Sequence, residues 1–217
     1  MLSIIIPTKE EPYVNSLIQD IEREISVPHE IIVVDKSAMP PKLVGARLVV
    51  QKSSGLGNAF VEGLAEAKGD VILLMDGDGS HDPKYVNEML KYIKDYDIVL
   101  GSKYVPGGYT EDYRSRVFVS KVFNRVIAWV LGLKVRDLMS GFCMFRRSVF
   151  DGIRLQPRGY KIVLEIIYKS KARVKEVPIR FYKRKAGESK VGFGMSGWKE
   201  VWRIFIITMK LRFNLYR

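Results

Sequence analysis

Short unbroken apolar runs, each followed by residues at helical spacing, recur along the first hundred positions and limit the folds open to this chain. Leu2 to Ile6, closed by Pro7, reads as a strand buried on both faces. Val14, Leu17, Ile18, Ile21 and Ile25 then form one apolar helical face after Glu10-Glu11-Pro12. Further strands are predicted over Glu30 to Asp35, Leu48 to Val50, Val71 to Met75 and Asp97 to Leu100. One helix runs from the Gly55-Leu56-Gly57 turn through Ala67, and another is marked by Val86, Met89, Leu90 and Ile93. This alternation predicts an α/β fold: a mostly parallel sheet with helices on both faces.

Beyond Gly101 the pattern changes. Gly107-Gly108 reads as a loop, and Arg114, Arg116, Lys121 and Arg125 mark a basic helix that turns apolar near Trp129. Arg173 to Tyr182 reads as one more strand, and Lys183 to Gly194, rich in Gly, Lys and Arg, as a mobile loop. In the tail, Trp198, Val201, Trp202, Phe205 and Met209 recur at helical spacing among Lys199, Arg203, Lys210 and Arg212. That is an amphipathic C-terminal helix, suited either to a membrane surface or to packing on the core. A chain of 217 residues, 47% hydrophobic, is expected to form a single domain over 1–217.

Charge narrows the partners. A net charge of +12 favours nucleic acid, anionic lipid headgroups or phosphorylated substrates. A nucleic-acid-binding domain is the reading from a different class, but the chain has no basic-aromatic platform, RNA-binding motif or zinc-finger spacing, so nucleic acid is not expected. The first strand is not followed by Gly-x-Gly-x-x-Gly, which argues against a dinucleotide-binding domain. Cys143 has no second cysteine to pair with and reads as a small core residue in a reducing compartment. Met1 leads directly into a strand without a signal-peptide pattern. The longest uncharged apolar runs, Val126 to Leu133 and Ile204 to Met209, fall short of the roughly 20 residues that cross a bilayer. The expected location is cytoplasmic, peripheral on the cytosolic face of a membrane.

The richest segment chemically is Gly69 to Ser80, where an apolar strand runs into Asp76-Gly77-Asp78-Gly79. Extended backbone there points Asp76 and Asp78 to one side, at the carboxyl end of a strand where open α/β sheets bind ligands. Two close carboxylates suit Mg²⁺ or Mn²⁺ bound together with substrate phosphates. An Asp-Gly turn is the plainer reading, and the five apolar residues before it weigh toward the metal.

Several motifs occur in an order that resembles the inverting family-2 glycosyltransferases with the GT-A (Rossmann-like) fold. They are Ile4-Ile5-Ile6-Pro7-Thr8, Val33-Val34-Asp35, Gly55-Leu56-Gly57-Asn58-Ala59 and Asp76-Gly77-Asp78. Asp97 through Gly108, Asp137 through Phe142, and Arg184 with Gly187-Glu188-Ser189-Lys190 are similar to the dolichyl phosphate mannose synthase branch in particular. The resemblance implies a donor and metal half over 1–105, an acceptor half with its loop over 106–194, and a tail over 195–217 that meets the membrane. It implies a GDP-mannose donor, with a UDP-sugar such as UDP-glucose second, a dolichyl or polyprenyl phosphate acceptor, and a possible membrane-anchoring partner subunit. Pro7, Lys9, Glu11, Asp35 and Gly77 would contact the donor; Asp76, Asp78 and Ser80 would hold the metal; and Lys103 would face the phosphates. Arg116 and Ser120, four apart on the basic helix, would receive the acceptor phosphate. Asp78 and Arg184 would be the catalytic pair, with Arg184 and Lys190 closing over the phosphates and Lys161 a further candidate. The chain departs from the family at Lys9, Glu10, Lys36 and Lys103, positions that bear on which base is bound. A lipid phosphate is already an anion and needs no general base, so His81 reads as a loop residue and His29 as a strand-edge residue.

Overall fold

In the computed structural model the described residues are 1–156, 162–185 and 195–213, with side chains of the last segment described from Ile204 onward. The central sheet has seven strands: β1 (Leu2–Thr8), β2 (His29–Asp35), β3 (Arg47–Val50), β4 (Val71–Leu74), β5 (Ile98–Ser102), β7 (Cys143–Arg146) and β8 (Val174–Pro178). Their order is β3-β2-β1-β4-β7-β5-β8. All neighbours are parallel except β7, which runs antiparallel to both β4 and β5. Two short strands, β6 (Tyr109–Thr110) and β9 (Arg180–Phe181), pair beside it.

The continuous apolar sequence of β1 follows from its place at the centre of this sheet, because both faces are covered. Ile5 pairs with Ile32 on one side and with Leu74 on the other. Its side chain enters the core beneath α2 (Leu56–Glu66), α4 (Arg114–Leu131), α5 (Ile162–Ser170) and α6 (Met195–Arg212). Ile4 and Ile6 point to the opposite face, packed by α1 (Val14–Glu24) and α3 (Tyr85–Tyr92). The predicted apolar face of α1 is the buried one: Val14, Leu17, Ile18 and Ile21.

Three features differ from the sequence reading. The stretch Arg173 to Tyr182 is not one strand. It leaves the main sheet after Pro178, which has no amide to donate, and restarts as β9 against β6. The antiparallel strand β7, three apolar residues and Arg146, carries no local signal that separates it from the loop before it. Cys143 lies within it, fully buried, and burial raises its thiol pKa well above the usual value. On α4 the buried residues are Asn124, Ile127, Ala128 and Leu131, whereas Trp129 is 83% exposed. Among the described residues no helix is long and apolar enough to cross a membrane.

Candidate active site

Strand order reverses between β1 and β4, since the chain builds β2 and β3 to one side of β1 before returning to the other. Ligands of open α/β sheets bind at such a switch point, beyond the carboxyl ends of the strands. A cleft of ≈ 510 Å³ opens there, lined by Pro7, Lys9, Glu11, Asp76, Gly77, Asp78 and Arg184 among the expected residues. A larger hollow of ≈ 740 Å³ lies between the ends of α4 and α5 and Leu211 of α6, with walls such as Leu131, Leu133 and Ile167 and the lysines 134, 169 and 171. It touches none of the strand-end residues, so the smaller cleft is the candidate site.

Asp78 is 6% exposed, and its Oδ1 accepts the Ser80 amide at 3.0 Å. That turn requires Gly79, whose φ is +73°. Oδ2 of Asp78 pairs with Nε of Arg184 at 3.0 Å. The segment after β9 is laced to the same turn: the Tyr182 amide donates to the Ser80 carbonyl and the Lys185 amide to the Asp78 carbonyl, each at 3.0 Å. Asp76 lies against Gly141, where a Cβ would come within 2.5 Å of its Oδ2, so only glycine leaves room for that carboxylate. Ser80 Oγ is buried without a hydrogen-bond partner among the described residues.

His81 is buried beneath the carboxylates. Its ring stacks on Phe142 at 5.0 Å and meets the Phe181 ring at 5.2 Å. Burial lowers its pKa to about 4; Asp78 raises it, Lys103 lowers it and Asp137 raises it by smaller amounts. The imidazole is therefore neutral near pH 7, and its Nδ1, 3.7 Å from Asp76 Oδ2, makes no ion pair there.

Two expected donor contacts lie elsewhere. Asp35 does not line the cleft: it is fully buried, and its carboxylate accepts from Thr8 Oγ1 at 2.7 Å, the Ser37 amide at 2.9 Å and Ser37 Oγ at 3.0 Å. Lys103 does not face the cleft either. Its Nζ pairs with Asp137 at 3.0 Å and lies over the rings of Tyr104 and Phe181. Burial, the largest single effect, would lower its pKa, but Asp137 together with Tyr104 and Asp112 outweighs it and holds the ammonium above the usual lysine value. Tyr104 in turn interacts with the Ser120 side chain on α4. Arg116 pairs with Asp112 at 3.4 Å one turn earlier. Ser120 thus reaches the Asp pair through Tyr104, Lys103, Phe181 and His81, and neither Ser120 nor Arg116 lines the cleft with that pair. Lys161 and Lys190 lie outside the described residues.

The cleft also contains residues outside the expected site set, one of which, Lys36, the sequence marks only as a departure from the family. Lys36 lines it, its ammonium fixed by the carbonyls of Gln51 at 3.0 Å and Lys52 at 3.1 Å. Gln51 lines it too, holding the Gly55 carbonyl at 2.9 Å where α2 begins. The position of Lys36 directly after a strand-end aspartate was the available signal. Among the described residues no group of three or more His, Cys, Asp or Glu is placed to hold a metal by itself.

The family model for glycosyl transferase family 2 matches residues 3–154. Dolichol-phosphate mannosyltransferase of Pyrococcus furiosus is 34% identical over 211 residues, 88% of this chain and 59% of that protein. Undecaprenyl-phosphate mannosyltransferase of Micrococcus luteus is 33% identical over 153 residues, 66% of this chain and 63% of that protein. The chain thus spans less than two thirds of the length of these curated relatives. Among solved structures, glucosyl-3-phosphoglycerate synthase from Mycobacterium tuberculosis in complex with Mn²⁺, UDP-glucose and phosphoglyceric acid has a TM-score of 0.70. It is 18% identical, over 98% of this chain and 79% of its own, a likeness of fold.

Proposed function

We propose, because the chain belongs to glycosyl transferase family 2, that it transfers mannose from GDP-mannose to the phosphate of dolichol or another polyprenol with inversion at the anomeric carbon. The observation that carries this reading is the cleft at the β1/β4 switch point, where Asp76 and Asp78 share the walls with Lys9, Lys36 and Arg184. The walls hold four carboxylates, Glu10, Glu11, Asp76 and Asp78, against these three cations, a balance that suits a nucleoside diphosphate bound together with a hard divalent ion.

The residues fit such an ion. Asp76 is seated over Gly141, Asp78 is set by its turn, and the unpartnered Ser80 Oγ supplies a further oxygen from the same turn. Among the described residues no third His, Cys, Asp or Glu completes a metal-holding set with them, so substrate phosphates would complete the coordination, as is usual for Mg²⁺ and Mn²⁺. When bound, the ion neutralises charge on the departing nucleoside diphosphate. Lys36, already fixed by two carbonyls, would hold a phosphate oxygen with little further ordering. The acceptor phosphate attacks as an anion, so the protein's task is to place it, by Arg116 and Ser120, and to stabilise charge, by Arg184. His81, buried between two rings with its pKa lowered to about 4, is a weak base near pH 7, which matches a reaction that asks for none.

The acceptor is a lipid, and a membrane-facing surface supports that choice. Phe118, Val122, Val126 and Trp129 lie exposed along one side of α4, with Arg114, Lys121 and Arg125 beside them. Phe205 and Ile206 of α6 are also exposed, while Ile204, Thr208 and Leu211 pack inward. Among the described residues α6 therefore packs on the core along one side, and α4 carries the longer exposed apolar stripe.

The test is transfer from radiolabelled GDP-mannose to dolichyl phosphate in detergent with Mg²⁺ or Mn²⁺, with UDP-glucose run in parallel. Organic-extractable mannose that requires the metal is expected, and Asp78→Ala should lower its rate at least about a hundredfold, the scale of losing a charge-stabilising group. Label from UDP-glucose alone would change the donor, and full activity of Asp78→Ala would remove the metal site.

A further inference from the structure

Both oxygens of the Asp78 carboxylate are engaged within the chain: Oδ1 by the Ser80 amide and Oδ2 by Nε of Arg184, each at 3.0 Å. The Asp78 side chain is 8% exposed, and a carboxylate that deep needs a positive partner. Arg184 provides it from 106 positions later in the chain. The same residue lines the cleft with Lys9 and Lys36, and its own side chain is 38% exposed, so it has room to turn. A divalent cation on Asp78 would compete for Oδ2, and two positive centres so close repel each other. A guanidinium turned from Asp78 toward the cleft would face the position of a diphosphate, which its planar fork suits.

We infer that Arg184 is a built-in counter-ion that a divalent cation displaces from Asp78, and that the donor diphosphate takes up the released guanidinium, so that cation and nucleotide bind with positive coupling through this one side chain. The inference rests on the donor-site reading above and adds the order of events within it. The backbone around Arg184 is anchored independently. The amides of Tyr182 and Lys185 hold the Asp78–Ser80 turn, and Lys185 Nζ donates to the Tyr13 hydroxyl at 2.7 Å. The exchange is then a rotation of a single side chain while the segment stays in place. Reciprocity requires that whatever the nucleotide adds to cation affinity, the cation adds to nucleotide affinity.

The experiment titrates the whole chain with Mn²⁺, reading the free-ion electron paramagnetic resonance signal, with and without GDP. Wild type, Arg184→Gln, Arg184→Lys and Asp78→Asn are compared, each checked for folding by circular dichroism. Arg184→Gln should bind Mn²⁺ alone on the order of tenfold more tightly than wild type, and the enhancement by GDP should shrink by a similar factor, within the usual range of coupling between sites. Arg184→Lys, which keeps the charge without the fork, should fall between them. Equal or weaker Mn²⁺ binding by Arg184→Gln, or an undiminished GDP enhancement, overturns the counter-ion exchange and leaves the metal site standing. Mn²⁺ binding that survives Asp78→Asn, or that wild type and variants all lack, overturns the metal site and the exchange together.

Discussion

His81 stacks on Phe142, borders Phe181, and has a pKa near 4 because burial disfavours its charged form. An unfolded chain takes up that proton near pH 6.5, so between pH 6.5 and 4 the unfolded state binds more protons than the native one. Stability therefore falls as pH falls through this window. From pH 7 to pH 5 the loss from this residue is about 2 kcal/mol. Asp20, Glu30, Glu62 and Asp97 have lowered pKa values and act in another range. Their contribution is present above the ordinary carboxylate pKa and is lost only below it, so it leaves the window above pH 5 to His81. Urea denaturation at the two pH values should show the loss in wild type and a much flatter response in His81→Phe, which keeps a ring against Phe142. An equal loss in both would mean that another group carries it. The Lys103–Asp137 pair makes a similar point about placement: a lysine expected at the phosphates is held by a carboxylate and two rings, with the Tyr104–Ser120 contact beyond it.

Helix α4 has two opposed faces. Asn124, Ile127, Ala128 and Leu131 pack inward, and Phe118, Val122, Val126 and Trp129 follow one another at intervals of four, four and three on the outside. Phe118 is 70% and Trp129 83% exposed, an unusual cost for large apolar rings on a surface that meets only water. With basic side chains along one edge, the helix has the makeup of one that lies in the headgroup region of an anionic bilayer, the role proposed for it above. Replacing both rings, Phe118→Ser with Trp129→Ser, should reduce partitioning onto phosphatidylglycerol vesicles at least about tenfold, given the apolar area removed. Residual binding should weaken as salt is raised. Undiminished vesicle binding would shift the docking surface to α6.

The whole molecule is a sheet with a packed layer on each face, and its centre is sensitive to lost volume. Phe60 of α2 is fully buried and meets Phe145 of β7 at 5.8 Å and Phe150 at 5.9 Å between ring centroids. Phe60→Ala should lower the free energy of unfolding by about 3–5 kcal/mol, read from urea transitions at constant slope, because neighbours close such a cavity only in part. A loss under about 1 kcal/mol would mean that the layers repack freely. The strands β1 to β5, the helices between them and the Asp76-Gly77-Asp78 turn were legible in the residues, since apolar period and turn chemistry are set by neighbours within a few positions. Pro7, Lys9, Glu11 and Gly77, named from the family motifs, line one cleft. The burial of Asp35 by Thr8 and Ser37, the capture of Lys103 by Asp137 and the seating of Arg184 on Asp78 were not legible. Neither was the outward side of α4, because a helical period shows that a stripe exists and not which stripe finds a partner. Each of these depends on strands and helices distant in sequence arriving side by side, and a charge or a ring takes its partner from that arrangement.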